Sequence, residues 1–205
     1  MKLIRTSIVA FFCLCASVTW AAGSASPMPM LKSTTGRLLI SLKQNRAKLR
    51  SQPTFVYSLV RKILLPRVDV RVMSMTVLGR SGWYKATPSQ RTQFTKTFTT
   101  TVIKTYASAL NAYTDETVKF FPVRGGTRGR SVLQVNSQII RPDGPPVPVS
   151  YSVVLRSRVW KIYDLTVEGI SLLQSFRSQF ASQLAQGDSV AKIIANLKRH
   201  NTKMK

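Results

Sequence analysis

Acid, histidine and cysteine are all scarce in this chain. Seven Asp and Glu stand against 31 Lys and Arg in 205 residues, a formal charge of +24. The single histidine is His200, within a basic tail at residues 199–205, and the only cysteines are Cys13 and Cys15. Metal sites of the Cys/His type are therefore excluded, and the options for catalysis shrink with them. No Gly-x-Ser-x-Gly, P-loop or dinucleotide fingerprint occurs, and the glycines at 125, 126 and 129 sit between predicted strands rather than before a helix. Apolar runs of the roughly 20 residues needed to span a bilayer are missing too. What remains is ample, because 44% of the residues are hydrophobic, enough for one folded domain with its own core.

Lys2 and Arg5 precede the apolar run from Ile8 to Val18, and Ala21, Ala22, Gly23 and Ala25 follow. That order predicts a cleaved secretory signal over residues 1–25, which carries both cysteines away. One domain over 26–198 then precedes the basic tail. A balance this basic usually suggests nucleic acid. In an exported protein it points instead to anionic lipid head groups or acidic protein faces, and no nucleic-acid partner is expected. Arg124, Arg128 and Arg130, around the glycine cluster, read as a hairpin loop.

Residues 24–35, rich in Ser, Thr, Pro and Met, read as a flexible leader. Leu38, Leu39, Leu42 and Leu49 recur loosely at helical spacing, and Pro53 opens a second helix that Pro66 stops. Val68 to Leu78 reads as a third, closed by Gly79 and Gly82. Thr87-Pro88-Ser89-Gln90 then forms a strong helix start, with a capping Thr, Pro at the first helical position and Gln three residues on. Phe94, Phe98, Val102, Tyr106 and Leu110 follow at intervals of four, one apolar stripe along a helix reaching about Tyr113. From Glu116 the period changes to two. Val118 and Phe120, then Leu133 to Ile139, Val147 to Leu155 and Val159 to Val167 predict four antiparallel strands joined by short turns. On the last strand Trp160 and Ile162 fall on one face and Tyr163, Leu165 and Val167 on the other. Two further helices follow Gly169, the second capped by Asp188 or Ser189. The fold class is α+β: a four-stranded, curved antiparallel sheet with helices on one face.

Asp164 and Glu168 are the one carboxylate pair that could act as acid and base, and neither a histidine nor a nucleophile accompanies them. A small cone-shaped α+β enzyme built on that pair and a basic exported interaction module without a ligand are two readings the residues leave open. A third comes from a resemblance. Leu78-Gly79, Trp83, Ala86-Thr87-Pro88, Gln90-Arg91, Phe94 and Phe98 resemble the central helix region of the MlaC, or toluene-tolerance, family. Trp160, Tyr163-Asp164, Glu168-Gly169-Ile170-Ser171 and Arg177-Ser178-Gln179-Phe180 resemble that family's later signature in the same order. The resemblance implies a periplasmic phospholipid carrier without enzymatic activity or cofactor, moving lipid between complexes of the Mla ABC transport system in the outer and inner membranes. Contact with anionic membrane surfaces would be transient. With tails held in an apolar cavity, the lining is expected from Leu78, Trp83, Phe94, Phe98, Val102, Tyr106, Val149, Tyr151, Val153 and Tyr163.

Overall fold

Helix α1 spans Met28–Gln44 in the computed structural model, which describes residues 26–113 and 115–204. The expected signal segment and both cysteines lie outside the described residues. The leader expected over 24–35 is corrected from Met28 onward: Leu31 and Thr34 are buried, and the Thr34 hydroxyl donates to the Met30 carbonyl at 2.7 Å. Pro29 fits the first turn, where its missing N–H would have no helical acceptor. Helices α2 (Arg46–Ser51) and α3 (Phe55–Leu59) follow, and α3 runs on through a π turn at 60–64 and a 3-10 turn at 65–67.

Helix α4 (Val70–Lys85) starts at an Asp69 cap that accepts from the Val72 N–H at 2.9 Å. It does not stop at Gly79 as expected. It kinks there, at φ 71° and ψ 165°, and continues to Lys85. Helix α5 (Pro88–Tyr106) carries the full capping box between Thr87 and Gln90, then tightens into a 3-10 turn at 107–112 instead of running on as α-helix. Arg91 closes the preceding helix: its Nε and Nη2 donate to the carbonyls of Trp83 (2.7 Å) and Tyr84 (3.1 Å).

Five strands form an antiparallel meander in chain order: β1 (Thr117–Phe120), β2 (Val132–Ile140), β3 (Val147–Arg156), β4 (Val159–Val167) and β5 (Ile170–Ser171). The fifth, unexpected strand has two residues and exists because Glu168 and Gly169, at φ 50° and 84°, make a two-residue turn after β4. Ile170, placed by the sequence in the next helix, is therefore in a strand. Helices α6 (Gln174–Ala185) and α7 (Val190–Lys203) complete the chain. Ser189 caps α7 by accepting from the Lys192 N–H. Basic residues 199–203 thus belong to a helix, whose last carbonyls, at Asn201 and Met204, accept from Lys104 of α5.

Strand β4 resolves the poor alternation read from its sequence. Ser152 pairs with Asp164 while Val153 pairs with Ile162, so Tyr163 is an extra residue, a β-bulge. Parity resets there. Residues directly opposite in an antiparallel pair share a face, so Ile162 lies with Val153 and Leu165 with Tyr151. Trp160, Ile162, Leu165 and Val167 all join one apolar face, which corrects their expected division between two.

Two outcomes follow from the turns. Gly79→Ala adds a methyl that meets no atom within 4 Å, yet φ 71° with ψ 165° is open essentially to glycine alone, so the variant should lose about 1–3 kcal/mol in urea unfolding. In the β3–β4 turn Ser157 and Arg158 sit at φ 46° and 63°. Replacing them together, Ser157→Asn with Arg158→Gly, should raise stability by about 1 kcal/mol, seen as a rise of roughly 2–4 °C in the melting temperature.

Candidate functional site

The sheet presents one apolar face to the helices. Leu133, Val135, Val149, Tyr151, Val153, Trp160 and Ile162 form its buried centre, joined by Leu31 from the first turns of α1. Toward one end the same face is only half-buried, at Phe120, Ile139, Val147, Leu165 and Val167. These five are neighbours through the register, with Val147 opposite Ile139 and Val149 opposite Val167. The Phe120 ring lies 5.6 Å from that of Tyr151.

Helices α4 to α7 build a separate apolar cluster. Phe94 and Phe98 stack at 5.5 Å, and both meet Phe180 of α6 edge-on. Leu78 and Trp83 are buried in this cluster, with Val102 half-buried against it. A third group joins Leu42, Leu49, Val56 and Ile103. Among the described residues the sheet cluster shares only Val68 with the helical cluster and Leu64 with the third. Domains of this size ordinarily close one contiguous core with minor satellites. Here the core is divided along the apolar sheet.

The ten expected lining residues therefore separate. Val149, Tyr151 and Val153 share the sheet face, whereas Leu78, Trp83, Phe94 and Phe98 are packed among helices, with the aromatic stripe of α5 turned to α6. Tyr106 stands at the seam. Its hydroxyl donates to the Leu172 carbonyl at 3.0 Å and its ring meets Phe176 edge-on. Tyr163 is the half-buried bulge residue. Sequence reasoning missed Met28, Met30 and Leu31, hidden in an apparent leader, and Leu165 and Val167, which the bulge moves to the apolar face.

Polar groups in this region are tied down. Burial pushes the Tyr151 hydroxyl above its ordinary pKa, against the opposing effect of hydrogen bonds with Thr35 and Ser137. Burial, then the nearby Asp164 charge, raises that of Tyr106. Asp164 accepts from the Leu165 N–H at 2.8 Å and from the Ser171 hydroxyl at 2.6 Å. The Ser171 oxygen in turn accepts from the N–H groups of Leu173 and Gln174, both at 3.2 Å, at the start of α6. Asp164 is a clasp between β4 and α6, and Glu168 is a turn residue whose N–H donates to the Pro148 carbonyl. Among the described residues no group of three or more His, Cys, Asp or Glu could hold a metal, and no helix is long and apolar enough to cross a membrane.

The profile of the family described as MlaC protein matches residues 32–199. This chain belongs to the MlaC family. Toluene tolerance protein ttg2D of Pseudomonas putida is 28% identical over 170 residues, covering 82% of this chain and 78% of that protein. The intermembrane phospholipid transport system binding protein MlaC of Haemophilus influenzae is 27% identical over 158 residues, 75% of this chain and 72% of the relative. A phospholipid-binding protein from Ralstonia solanacearum, solved in complex with a phospholipid, superposes with a TM-score of 0.80 at 27% identity, covering 88% of this chain and 99% of that one. Within the matched range Asp164 and Ser171 form a structural clasp, and Gln90 and Arg91 cap two helices.

Tyr151 gives a pH signature. Because its folded-state pKa is raised above the unfolded value of 10.0, it contributes stability that is full below about pH 10 and is lost as pH rises through the folded pKa. Unfolding midpoints of wild type and Tyr151→Phe, followed from pH 8 to pH 11, should show the wild type losing stability more steeply above pH 10.

Proposed function

We propose that this chain is a phospholipid carrier of the periplasm, exported by residues 1–25, which takes lipid from one membrane-bound Mla complex and passes it to another. The observation that carries the reading is the likeness, over nearly the whole of the Ralstonia protein, to a structure that holds a phospholipid. The name of the Haemophilus relative supports the transport role. Physical need agrees: a lipid with on the order of 30 methylenes would cost roughly 24 kcal/mol to expose to water, at about 0.8 kcal/mol each. Attraction of about 1 kcal/mol per basic residue is too small to offset that. Only apolar side chains can shelter the tails.

The acyl chains lie against the half-buried end of the sheet, on Phe120, Ile139, Leu165 and Val167, and reach toward Val149, Tyr151 and Val153 at its buried centre. Val102 and Tyr106 of α5 form the opposite wall. The four residues locked in the helical cluster support that wall without touching the tails. The protein acts as a carrier and not as an enzyme, since both Asp164 oxygens serve the clasp. Residues 26–198 work as one lipid-binding domain.

Native mass spectrometry of the mature protein, purified from the periplasm without detergent, should show bound phospholipid. Val147→Trp, at the half-buried end, should lower the bound fraction several-fold while leaving the unfolding midpoint within about 1 kcal/mol of wild type, because an indole there competes with a tail for the same surface. Lipid-free wild-type protein would overturn the carrier reading.

A further inference from the structure

All seven acidic residues lie in strands or connectors, and no helical segment contains one. Lys or Arg occurs in every α-helix except α3. The segregation goes beyond net charge: within the helices the only formal charges are positive, and what acid exists stands at helix ends, in connectors or in strands. Asp69 caps a helix and faces Arg156, Asp115 pairs with Lys43 and Arg46, and Asp188 pairs with Lys192.

The segregation is sharpest where α7 packs on α5. An open groove of about 420 Å³ runs between them, lined by Gln93, Lys96, Thr100, Lys198 and Thr202 among others, with no carboxylate in its wall. Arg61 reaches its edge, donating to the Thr100 hydroxyl at 3.4 Å. Lys198 donates to Gln93 at 3.2 Å, while Asn201 bonds the Thr97 carbonyl and the Thr101 hydroxyl and holds the two helices in register. Lys96 and Lys198 of its wall are exposed, as are Arg199 and Lys203 elsewhere on α7.

We infer that the α5–α7 face, with Arg61 beside it, is a docking surface for an anionic lipid bilayer, where lysine and arginine meet phosphate groups. A bilayer suits this face better than an acidic protein does. Specific protein interfaces are organised around desolvated aromatic or aliphatic anchors, and the exposed large apolar residues Ile40, Tyr84, Val132, Val159 and Ile170 all lie off these two helices. Dispersed cations on a polar face match a laterally fluid array of phosphates, which needs no fixed complementary shape. The inference is independent of the carrier reading, since it concerns the outside of the helical layer.

The test is sedimentation of the mature protein with phosphatidylcholine vesicles made with and without phosphatidylglycerol, at about 50 mM and 500 mM salt. Binding should require phosphatidylglycerol and fall at least tenfold at the higher salt. The triple variant Lys96→Glu, Lys198→Glu, Arg199→Glu should lower partitioning by a further tenfold or more. A control with the same charge change on the sheet and its loop, Lys119→Glu, Arg124→Glu, Arg128→Glu, should change it less than threefold, with circular dichroism confirming the helix content of both. Equal loss in the two triple variants, equal binding to neutral vesicles, or binding indifferent to salt would each overturn the surface, as would recruitment by an acidic protein alone. The same preparations are scored for bound phospholipid. Lost vesicle binding with lipid retained overturns the surface and leaves the carrier, whereas lipid-free protein that still sediments with anionic vesicles does the reverse.

Discussion

An antiparallel sheet with one dominantly apolar face must be covered on that side, and the arrangement of this fold follows from how that need is met. Odd-numbered residues of β2 and β3 face inward through matched register, and the bulge at Tyr163 brings the second half of β4 onto the same face. The helices cover the centre of that face with the first turns of α1 and with Val68 and Leu64. They satisfy one another elsewhere, through a ring of phenylalanines from α5 and α6. Helices that pack mainly on each other leave part of the sheet to another apolar partner, and a lipid tail is such a partner.

Rigidity at the borders of that region comes from polar contacts. Asp164 and Ser171 fix the angle at which α6 leaves the sheet, and Tyr106 bonds to the carbonyl of the next residue, Leu172. Arg91 and the Thr87 capping box set α5 against α4. Motif residues that suggest chemistry in a sequence thus serve geometry here, at helix ends and turns where unpaired backbone groups would otherwise go unsatisfied.

Much of this was legible in the residues. Alternation located β2 and β3, and Thr87-Pro88 located α5, because both signals are local. The helix at Met28 was not legible, since its Ser and Thr residues mimic a linker and its apolar residues matter only once the sheet stands beside them. Nor was the parity change in β4, which depends on pairing with β3 and leaves no mark in its own composition. For the candidate site, the sheet residues Val149, Tyr151 and Val153 were read correctly as one face. Phe94 and Phe98 fall in the same apolar stripe as Val102 and Tyr106, yet a stripe shows that a helix is buried without naming the neighbour it is buried against.

A helical layer without a single carboxylate also governs how two copies of this protein meet. With acid confined to helix ends and connectors, where Asp115 and Asp188 already pair with Lys43, Arg46 and Lys192 of the same chain, helix-to-helix encounters between copies are repulsive over roughly a Debye length. A molecule whose apolar sheet face is only half-buried at one end is at risk of joining its neighbours through that end. Here the like-charged layer holds the copies apart, and so the protein can be crowded without its apolar surface becoming an aggregation site.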